Sequence, residues 1–165
     1  MILTGKEIEK QVENGNIIIS PFYKEQLNPN SYNYRLGSQL LVPKSDSVNS
    51  STYEEVEIPD QGYLLKPGCT YLGHTYETLG SDIFAMSLIG RSSIGRLGLF
   101  LQVSANLGHI GSCHSWTLEL VAINPIVVYP FMKIGQISFW KSIGDINHYK
   151  DGYTKFNQPY PSIGF

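Results

Sequence analysis

Hydrophobic positions near the N-terminus follow the spacing of a helix. Ile8 and Val12 stand four residues apart, and the pattern Thr4-x-x-Glu7 before them has the form of a capping box. Because glycine often ends a helix, Gly15 is the expected stop. The spacing therefore predicts one short N-terminal helix.

From Ser38 onward the chain changes to short apolar runs that are rich in β-branched and aromatic residues. Most of them are bounded by Gly, Pro, Asn or Ser, as strands usually are. The runs are QLLV, TYLGHTY, IFAMSLI, LFLQVS, WTLELVA, IVVY and IGQISFW. They predict an all-β barrel or jelly roll, in which the polar stretch 44–60 forms an exposed loop or an edge hairpin.

One of these runs contains a carboxylate. The alternation in residues 116–121 puts Leu118 and Leu120 on one face of a strand and Glu119 on the other. Glu119 is either a surface position on a one-sided sheet or a pocket residue that can shuttle protons. The sequence leaves both interpretations open.

The segment GRSSIGRLGLF, residues 90–100, lies between two apolar runs and contains two arginines, two serines and three glycines. A guanidinium does not lose its proton at working pH, so Arg91 and Arg96 need carboxylate, phosphate or water partners. One interpretation is a solvated turn with structural ion pairs. The other is a site for an anionic ligand.

Composition narrows the classes of function. The chain has 165 residues, which predicts a single domain over residues 1–165, and a net charge of −2 argues against coating nucleic acid with a basic surface. No run approaches the roughly 18 apolar residues of a membrane span, and the first residues do not resemble a signal peptide. We therefore expect a cytoplasmic protein that binds neither nucleic acid nor a membrane.

Cysteine and histidine spacing gives little support for a metal centre. Cys69 and Cys113 belong to no Cys-x-x-Cys pair, and we expect them to be buried, inert thiols. Among four histidines, His109 and His114 are close in sequence, which is a weak metal signal. No metal held by the protein, and zinc in particular, is expected.

Several segments together resemble one known family. GRSSIGRLGLF, followed by LEL at 118–120 and YPFMKIGQISF at 129–139, is similar to the signature of the dCTP deaminase family, part of the dUTPase superfamily. NSYNYRLG at 30–37 and KFNQPYPS at 155–162 agree in the same order, so the match spans nearly the whole chain. The resemblance implies a distorted β jelly roll, a homotrimer with active sites shared between subunits, and deamination of dCTP without zinc.

The resemblance also implies roles for matching positions around the base. Glu119 would take a proton from water as it attacks C4 of cytosine and would deliver a proton to the departing amine. Ser92 and Arg96 would surround the base and the water, and the backbone carbonyl of Ala105 would orient that water. These four positions are the implied catalytic set.

A second set is implied to bind the rest of the nucleotide. Arg91, Lys155 and Gln158 match positions that hold the triphosphate, with Mg²⁺ bridging its oxygens. His109 stands where the family has an aspartate that binds the sugar 3′-hydroxyl and, in bifunctional members, serves the phosphate chemistry. Because a neutral histidine suits both tasks less well, we expect dUTP as the product and weaker discrimination against ribose.

Three alternatives to this dCTP deaminase activity stay open at the level of sequence. The protein could be a dUTP pyrophosphatase, a bifunctional enzyme that converts dCTP to dUMP, or a nucleotide-binding homologue without catalysis. Retention of Glu119, Ser92, Arg91 and Arg96 favours an enzyme, because a binding module has less use for a carboxylate beside an anionic ligand.

Overall fold

The computed structural model describes residues 1–44, 52–150, 152 and 156–162. Its helices are α1 (Gly5–Glu13), a 3-10 turn (Lys24–Gln26) and the one-turn α2 (Ser92–Gly95). The strands are β1 (Ile18–Ser20), β2 (Leu27–Asn28), β3 (Ser31–Arg35), β4 (Gln39–Pro43), β5 (Tyr53–Glu57), β6 (Tyr63–Leu65), β7 (Thr70–His74), β8 (Thr78–Gly80), β9 (Phe84–Gly90), β10 (Leu99–Leu101), β11 (Leu107–Gly108), β12 (Cys113–His114), β13 (Thr117–Ala122), β14 (Ile126–Val128) and β15 (Lys133–Lys141).

The predicted N-terminal helix is confirmed as α1. Its N-cap is Thr4, whose hydroxyl accepts a hydrogen bond from the Glu7 amide at 3.4 Å. Ile8 is fully buried on the inner face of the helix. Gly15 follows with a φ of 74°, a left-handed conformation that glycine adopts without strain and that ends the helix.

The strands form two five-stranded antiparallel sheets and two smaller ones. The order is β10-β13-β7-β4-β5 in one large sheet and β11-β9-β15-β3-β2 in the other. The smaller sheets are β1-β8-β12 and β14-β6. The mostly-β prediction is therefore confirmed, and the arrangement is consistent with a jelly roll.

The boundary that the sequence suggests at Ser38 is wrong for the sheets. Strands β1, β2 and β3 precede it, and β3 lies inside the second large sheet beside β15. Strand β3 shows no alternation of apolar and polar residues, because four of its five residues, including Tyr32 and Tyr34, are buried. Both faces of this strand are therefore covered. In the polar stretch 44–60, β5 is an edge strand as predicted, while residues 45–51 lie outside the described residues.

The core consists of aliphatic and aromatic side chains from both large sheets. Tyr34 is fully buried, donates its hydroxyl to the Ile89 carbonyl at 3.0 Å, and has a pKa raised far above its ordinary value by burial. Its ring lies over Gly135, where a Cβ atom would overlap the ring. This close packing fixes β15 against β3 and holds the nearby segment 90–100 in place.

Candidate active site

A cavity with a volume of about 550 Å³ opens over the first large sheet. We call it the Glu119 pocket. Thr117 and Glu119 of β13 line it together with Leu72 of the neighbouring strand β7. Other lining residues used below are Gln102, Ala105, His109, His114, Trp116 and Tyr149.

Glu119 faces this pocket because β13 alternates in register. Leu118 and Leu120 are fully buried beneath the sheet, so Glu119 between them must point to the other face. The side chain of Glu119 has no hydrogen bond or ion pair with any described residue. The structure therefore places Glu119 in the lining of a pocket rather than on an open sheet surface, and its role in proton transfer stays a prediction.

Ala105 and His109 lie in the loop region that forms another wall of the pocket. The Ala105 carbonyl accepts a hydrogen bond from Gln102 Nε2 at 3.3 Å. The exposed ring of His109 lies 5.2 Å from the ring of Tyr149, centroid to centroid. The Tyr149 amide donates to the Ile110 carbonyl at 2.8 Å, which ties this wall to the segment after β15.

Two aromatic side chains before β13 line the pocket without having been predicted as site residues: His114 in β12, and Trp116 between β12 and β13. His114 is 5% exposed and stacks on Trp116 with ring centroids 4.4 Å apart. The Nδ1–H of His114 donates a hydrogen bond to the Ser115 carbonyl at 3.0 Å. Burial lowers the pKa of the His114 ring. A strong aromatic signal was present in the sequence at Trp116, but no spacing showed that it would meet a cavity.

The C-terminal residues 156–162 lie beside the same pocket. The Asn157 side-chain oxygen accepts from the Ser115 amide at 3.2 Å, and the Tyr160 amide donates to the Thr117 hydroxyl at 3.2 Å. Tyr160 thereby reaches the pocket wall. Gln158 is exposed and is not part of the described lining, and Lys155 lies outside the described residues.

The predicted arginine segment forms a different cavity. Arg91 and Ser92 line a hollow of about 290 Å³ together with Phe100 and Gln136, which we call the Arg91 hollow. Arg91 caps the one-turn helix α2, and its NH1 donates to the Lys133 carbonyl at 3.2 Å. Gly98 allows the turn after α2, with a φ of 88°.

The predicted site residues are thus divided between two places. Glu119, Ala105 and His109 meet at the Glu119 pocket, whereas Arg91 and Ser92 meet at the Arg91 hollow. As far as the chain is described, the two linings share no residue, and the exposed Arg96 is in neither. A single chain therefore does not assemble the whole predicted catalytic set.

The structural ion pairs considered for the arginine segment are not found. In residues 1–44, 52–150, 152 and 156–162, the ion pairs are Lys24–Glu9 and Arg35–Glu77. Arg35 is an arginine with a structural role, because its Nε lies 2.7 Å from the buried Glu77 carboxylate. Arg91 and Arg96 have no such carboxylate among the described residues.

The remaining sequence expectations concern metal, thiols and membranes. In the described part of the chain, no three His, Cys, Asp or Glu side chains are placed to hold a metal ion, and no helix could cross a membrane. The expectation of buried thiols is wrong for Cys113, which is exposed, while Cys69 is half-buried. Cys113 points outward because its strand neighbour His114 occupies the buried face.

Known proteins similar to this chain agree on one family. A family model described as dCTP deaminase-like matches residues 2–142. A protein of Clostridium botulinum (strain Alaska E43 / Type E3) named dCTP deaminase, dUMP-forming is 44% identical over 167 residues, with 99% of this chain and 96% of its own covered. A Rhodopirellula baltica protein named dCTP deaminase is 39% identical, with 99% and 84% covered.

A solved structure supports the fold. The crystal structure of 2′-deoxycytidine 5′-triphosphate deaminase from Agrobacterium tumefaciens matches with a TM-score of 0.69 at 23% identity. The match covers 86% of this chain and 48% of the other, so this chain spans about half the length of that protein. Because the family model matches most of the chain and the two relatives match nearly all of it, the chain belongs to the dCTP deaminase-like family.

Proposed function

We propose that this protein hydrolyses the amino group from the cytosine of dCTP and then releases pyrophosphate, with dUMP as the final product. The observation that supports deamination most directly is the side chain of Glu119, which lines the same pocket as Ala105 and has no hydrogen-bond or ion-pair partner among the described residues. Relatives at 42–44% identity named dCTP deaminase, dUMP-forming favour dUMP over the dUTP expected from the sequence.

In the deamination step, water replaces the C4 amino group of cytosine. Glu119 accepts a proton from the water as its oxygen bonds to C4 and the C4–N3 π electrons move to N3, and Glu119 then gives that proton to N3. The Ala105 carbonyl accepts the other water hydrogen and so turns an oxygen lone pair toward C4. The carboxylate of Glu119 next takes the proton of the new C4 hydroxyl and passes it to the amino group. The C4–N bond then breaks with its electron pair on nitrogen, the C4 carbonyl forms, and ammonia leaves.

A second copy of the chain would complete each site. Ser92 and Arg96 are expected at the base, yet within one chain Ser92 lines the Arg91 hollow and Arg96 lies on the surface. Large apolar side chains near both cavities are solvent-exposed in the single chain, as expected of a surface covered on assembly. They are Leu97, Phe100, Val103, Leu107 and Ile123. We propose a homotrimer in which one subunit supplies Glu119 and its neighbour supplies the arginine segment.

The phosphate end of the site would be basic rather than metal-binding. Arg91 offers a guanidinium without a carboxylate partner among the described residues, and Lys155 and Gln158 follow in the C-terminal segment. Mg²⁺ would enter with the nucleotide, bound by phosphate oxygens and water. This mode of binding suits a chain whose described residues hold no cluster of three potential ligands.

The pyrophosphate-releasing step places the greatest demand on His109. Water attacks the α-phosphorus and pyrophosphate departs, so a group in the site must take a proton from that water. Glu119 is the sole carboxylate among the described residues lining the pocket. Of the two lining histidines, His114 is buried and His109 is exposed, so we assign this proton to the His109 imidazole. The same absence of a second carboxylate favours the second candidate function, deamination that stops at dUTP.

Product analysis separates these functions. The protein is incubated with Mg²⁺ and dCTP, CTP or dUTP, and ammonia, pyrophosphate and nucleotides are measured to completion. We expect one ammonia and one pyrophosphate per dCTP, with dUMP as the nucleotide, and slower but measurable turnover of CTP. Accumulation of dUTP would establish the second candidate, and binding without ammonia release would contradict the enzymatic proposal.

A further inference from the structure

Gln102 has an uncommon backbone conformation at the edge of the Glu119 pocket. It directly follows β10 and has a φ of 50°, in the left-handed region that non-glycine residues seldom adopt. The other such residue in the described ranges is Phe131, which does not line the pocket. Backbone conformations of this kind are maintained when surrounding contacts fix them, and they concentrate at functional sites.

The contacts of Gln102 join two parts of the proposed catalytic centre. Its side-chain Oε1 accepts a hydrogen bond from the Glu119 amide at 2.7 Å, and its Nε2 donates to the Ala105 carbonyl at 3.3 Å. The Gln102 amide donates to the Glu119 carbonyl at 3.3 Å. The regular pairing of β10 with β13 ends at Leu101 and Leu120. The backbone and side chain of Gln102 continue this pairing by one residue, through their hydrogen bonds to Glu119.

We propose that Gln102 is a positioning residue that sets the separation between the Glu119 carboxylate and the Ala105 carbonyl. This inference rests on the proposed deamination, in which both groups hold the attacking water. A primary amide suits the task because it accepts at one end and donates at the other. It also keeps both properties at every working pH, so the water site does not depend on the protonation of its support.

The variant Gln102→Glu specifically tests the hydrogen bond that Gln102 Nε2 donates to the Ala105 carbonyl. Its carboxyl group has nearly the same size and still accepts from the Glu119 amide, but when ionised it presents an oxygen to the Ala105 carbonyl oxygen. The two oxygens repel each other, and a misplaced water site lowers turnover. We expect kcat for dCTP at pH 7.5 to fall by about 10- to 100-fold, with KM changed far less.

Acidification should partly rescue this variant. When the introduced carboxyl is protonated it can again donate to the Ala105 carbonyl, so the ratio of variant to wild-type kcat should rise as the pH is lowered from 7.5 toward 5. Glu119 and His109 are present in both proteins, so the ratio isolates the introduced group. The control is Gln61→Glu, which adds the same charge in an exposed turn outside the described pocket lining and should leave the ratio near one throughout.

A ratio that stays constant with pH, or a loss confined to KM, would contradict the positioning role. A second measurement does not depend on activity. In Gln102→Ala, hydrogen exchange of the Glu119 amide should become at least about tenfold faster, because that amide loses its acceptor. Unchanged exchange would contradict the geometry, whereas absence of ammonia release by the wild-type protein would contradict the proposed function and leave the exchange result intact.

Discussion

The Glu119 pocket and the Arg91 hollow differ in how completely one chain builds them. The pocket is lined by residues from strands of three sheets, from the loop after β10 and from the segments after β15, and its lining includes both Glu119 and Ala105. The hollow is about half as large, and the arginine that lines it has a single carbonyl partner. In the proposed homotrimer, the Glu119 pocket of one subunit would be completed by the Arg91 hollow of its neighbour.

This difference explains why two permanent positive charges follow an apolar strand. Arg35 is paired with the buried Glu77 and lies 4.5 Å from the ring centroids of Tyr23 and Tyr76, so its charge is compensated within the fold, although its Nη2 is buried without a hydrogen-bond partner in the described part of the chain. Arg91 lacks a carboxylate partner among the described residues. In the proposed assembly, this charge would be available for a ligand bound between two copies of the chain.

The largest expected effect removes the base from the pocket. Glu119→Gln keeps size and hydrogen-bonding capacity but cannot take a proton, so ammonia release from dCTP should fall by about 10²- to 10⁴-fold. The thermal midpoint should stay near that of the wild type, because the side chain has no described partner. Near-normal turnover in a folded variant would remove Glu119 from the mechanism.

Changes in the arginine segment should have the next largest effect. Each arginine is expected to make charge-assisted hydrogen bonds to the ligand, contributing about 1.5–3 kcal/mol apiece, or roughly 10- to 150-fold. Arg91→Ala should mainly raise KM for dCTP, and Arg96→Ala should mainly lower kcat. Wild-type kinetics for both would instead support a solvated turn without function.

Mixing two inactive variants tests whether the two regions meet across subunits. In trimers co-assembled from equal amounts of Glu119→Gln and Arg96→Ala, about a quarter of the sites would receive both intact groups. Activity should therefore recover to about a quarter of the wild-type value, against almost none in either parent. If the mixture stays as inactive as its parents, the two regions act within one chain.

The smallest expected effect is on the pH dependence of the thermal midpoint, through the buried His114 in the wall of the Glu119 pocket. Burial lowers the pKa of His114, so the folded state favours the neutral ring, and this contribution to stability is present above the ordinary value of 6.5 and is lost as the pH falls through the lowered pKa. Between pH 7.5 and pH 5 the wild-type thermal midpoint should fall further than that of His114→Gln, by roughly 2–4 °C. His148→Gln, at an exposed ring, is the matched control.

Equal pH dependence in the wild type and His114→Gln would show that the buried ring does not couple folding to protons. His74 must be considered in the same experiment, because burial also lowers the pKa of its ring. The double variant of His74 and His114 should have the flattest dependence of the three. The described lining of the Arg91 hollow contains no histidine, whereas His114 lines the Glu119 pocket. We therefore expect the loss of stability in acid that depends on His114 to concern the Glu119 pocket and not the Arg91 hollow.

Elements with a regular local pattern were predictable from the sequence. The cap at Thr4 and the glycine at position 15 define α1, and the alternation around Glu119 gives both β13 and the face on which the carboxylate lies. Strand β3 was missed because burial on both faces removes the alternation. The outward direction of Cys113 was missed because a two-residue strand has too little pattern to show its face.

The candidate site was only partly predictable for a related reason. Residue type marked Glu119 and Arg91 as unusual in apolar surroundings, and the resemblance to a family supplied their roles. Gln102, Trp116 and Tyr149 have no motif of their own. Gln102 reaches the pocket from the end of β10, Trp116 from the connection between β12 and β13, and Tyr149 from the segment after β15. Contacts between positions so distant in sequence leave no local spacing to recognise.

The sequence by itself therefore determined the fold class, the N-terminal helix, the alternation that exposes Glu119 and the identity of the charged groups, because these depend on neighbouring residues and on side-chain chemistry. Only the tertiary structure decided that Glu119, Ala105 and His109 share one pocket while Arg91 and Ser92 line another. It also decided that a glutamine amide connects Glu119 to Ala105. Such placements depend on how distant strands pair, and strand pairing is fixed by the packing of the whole core.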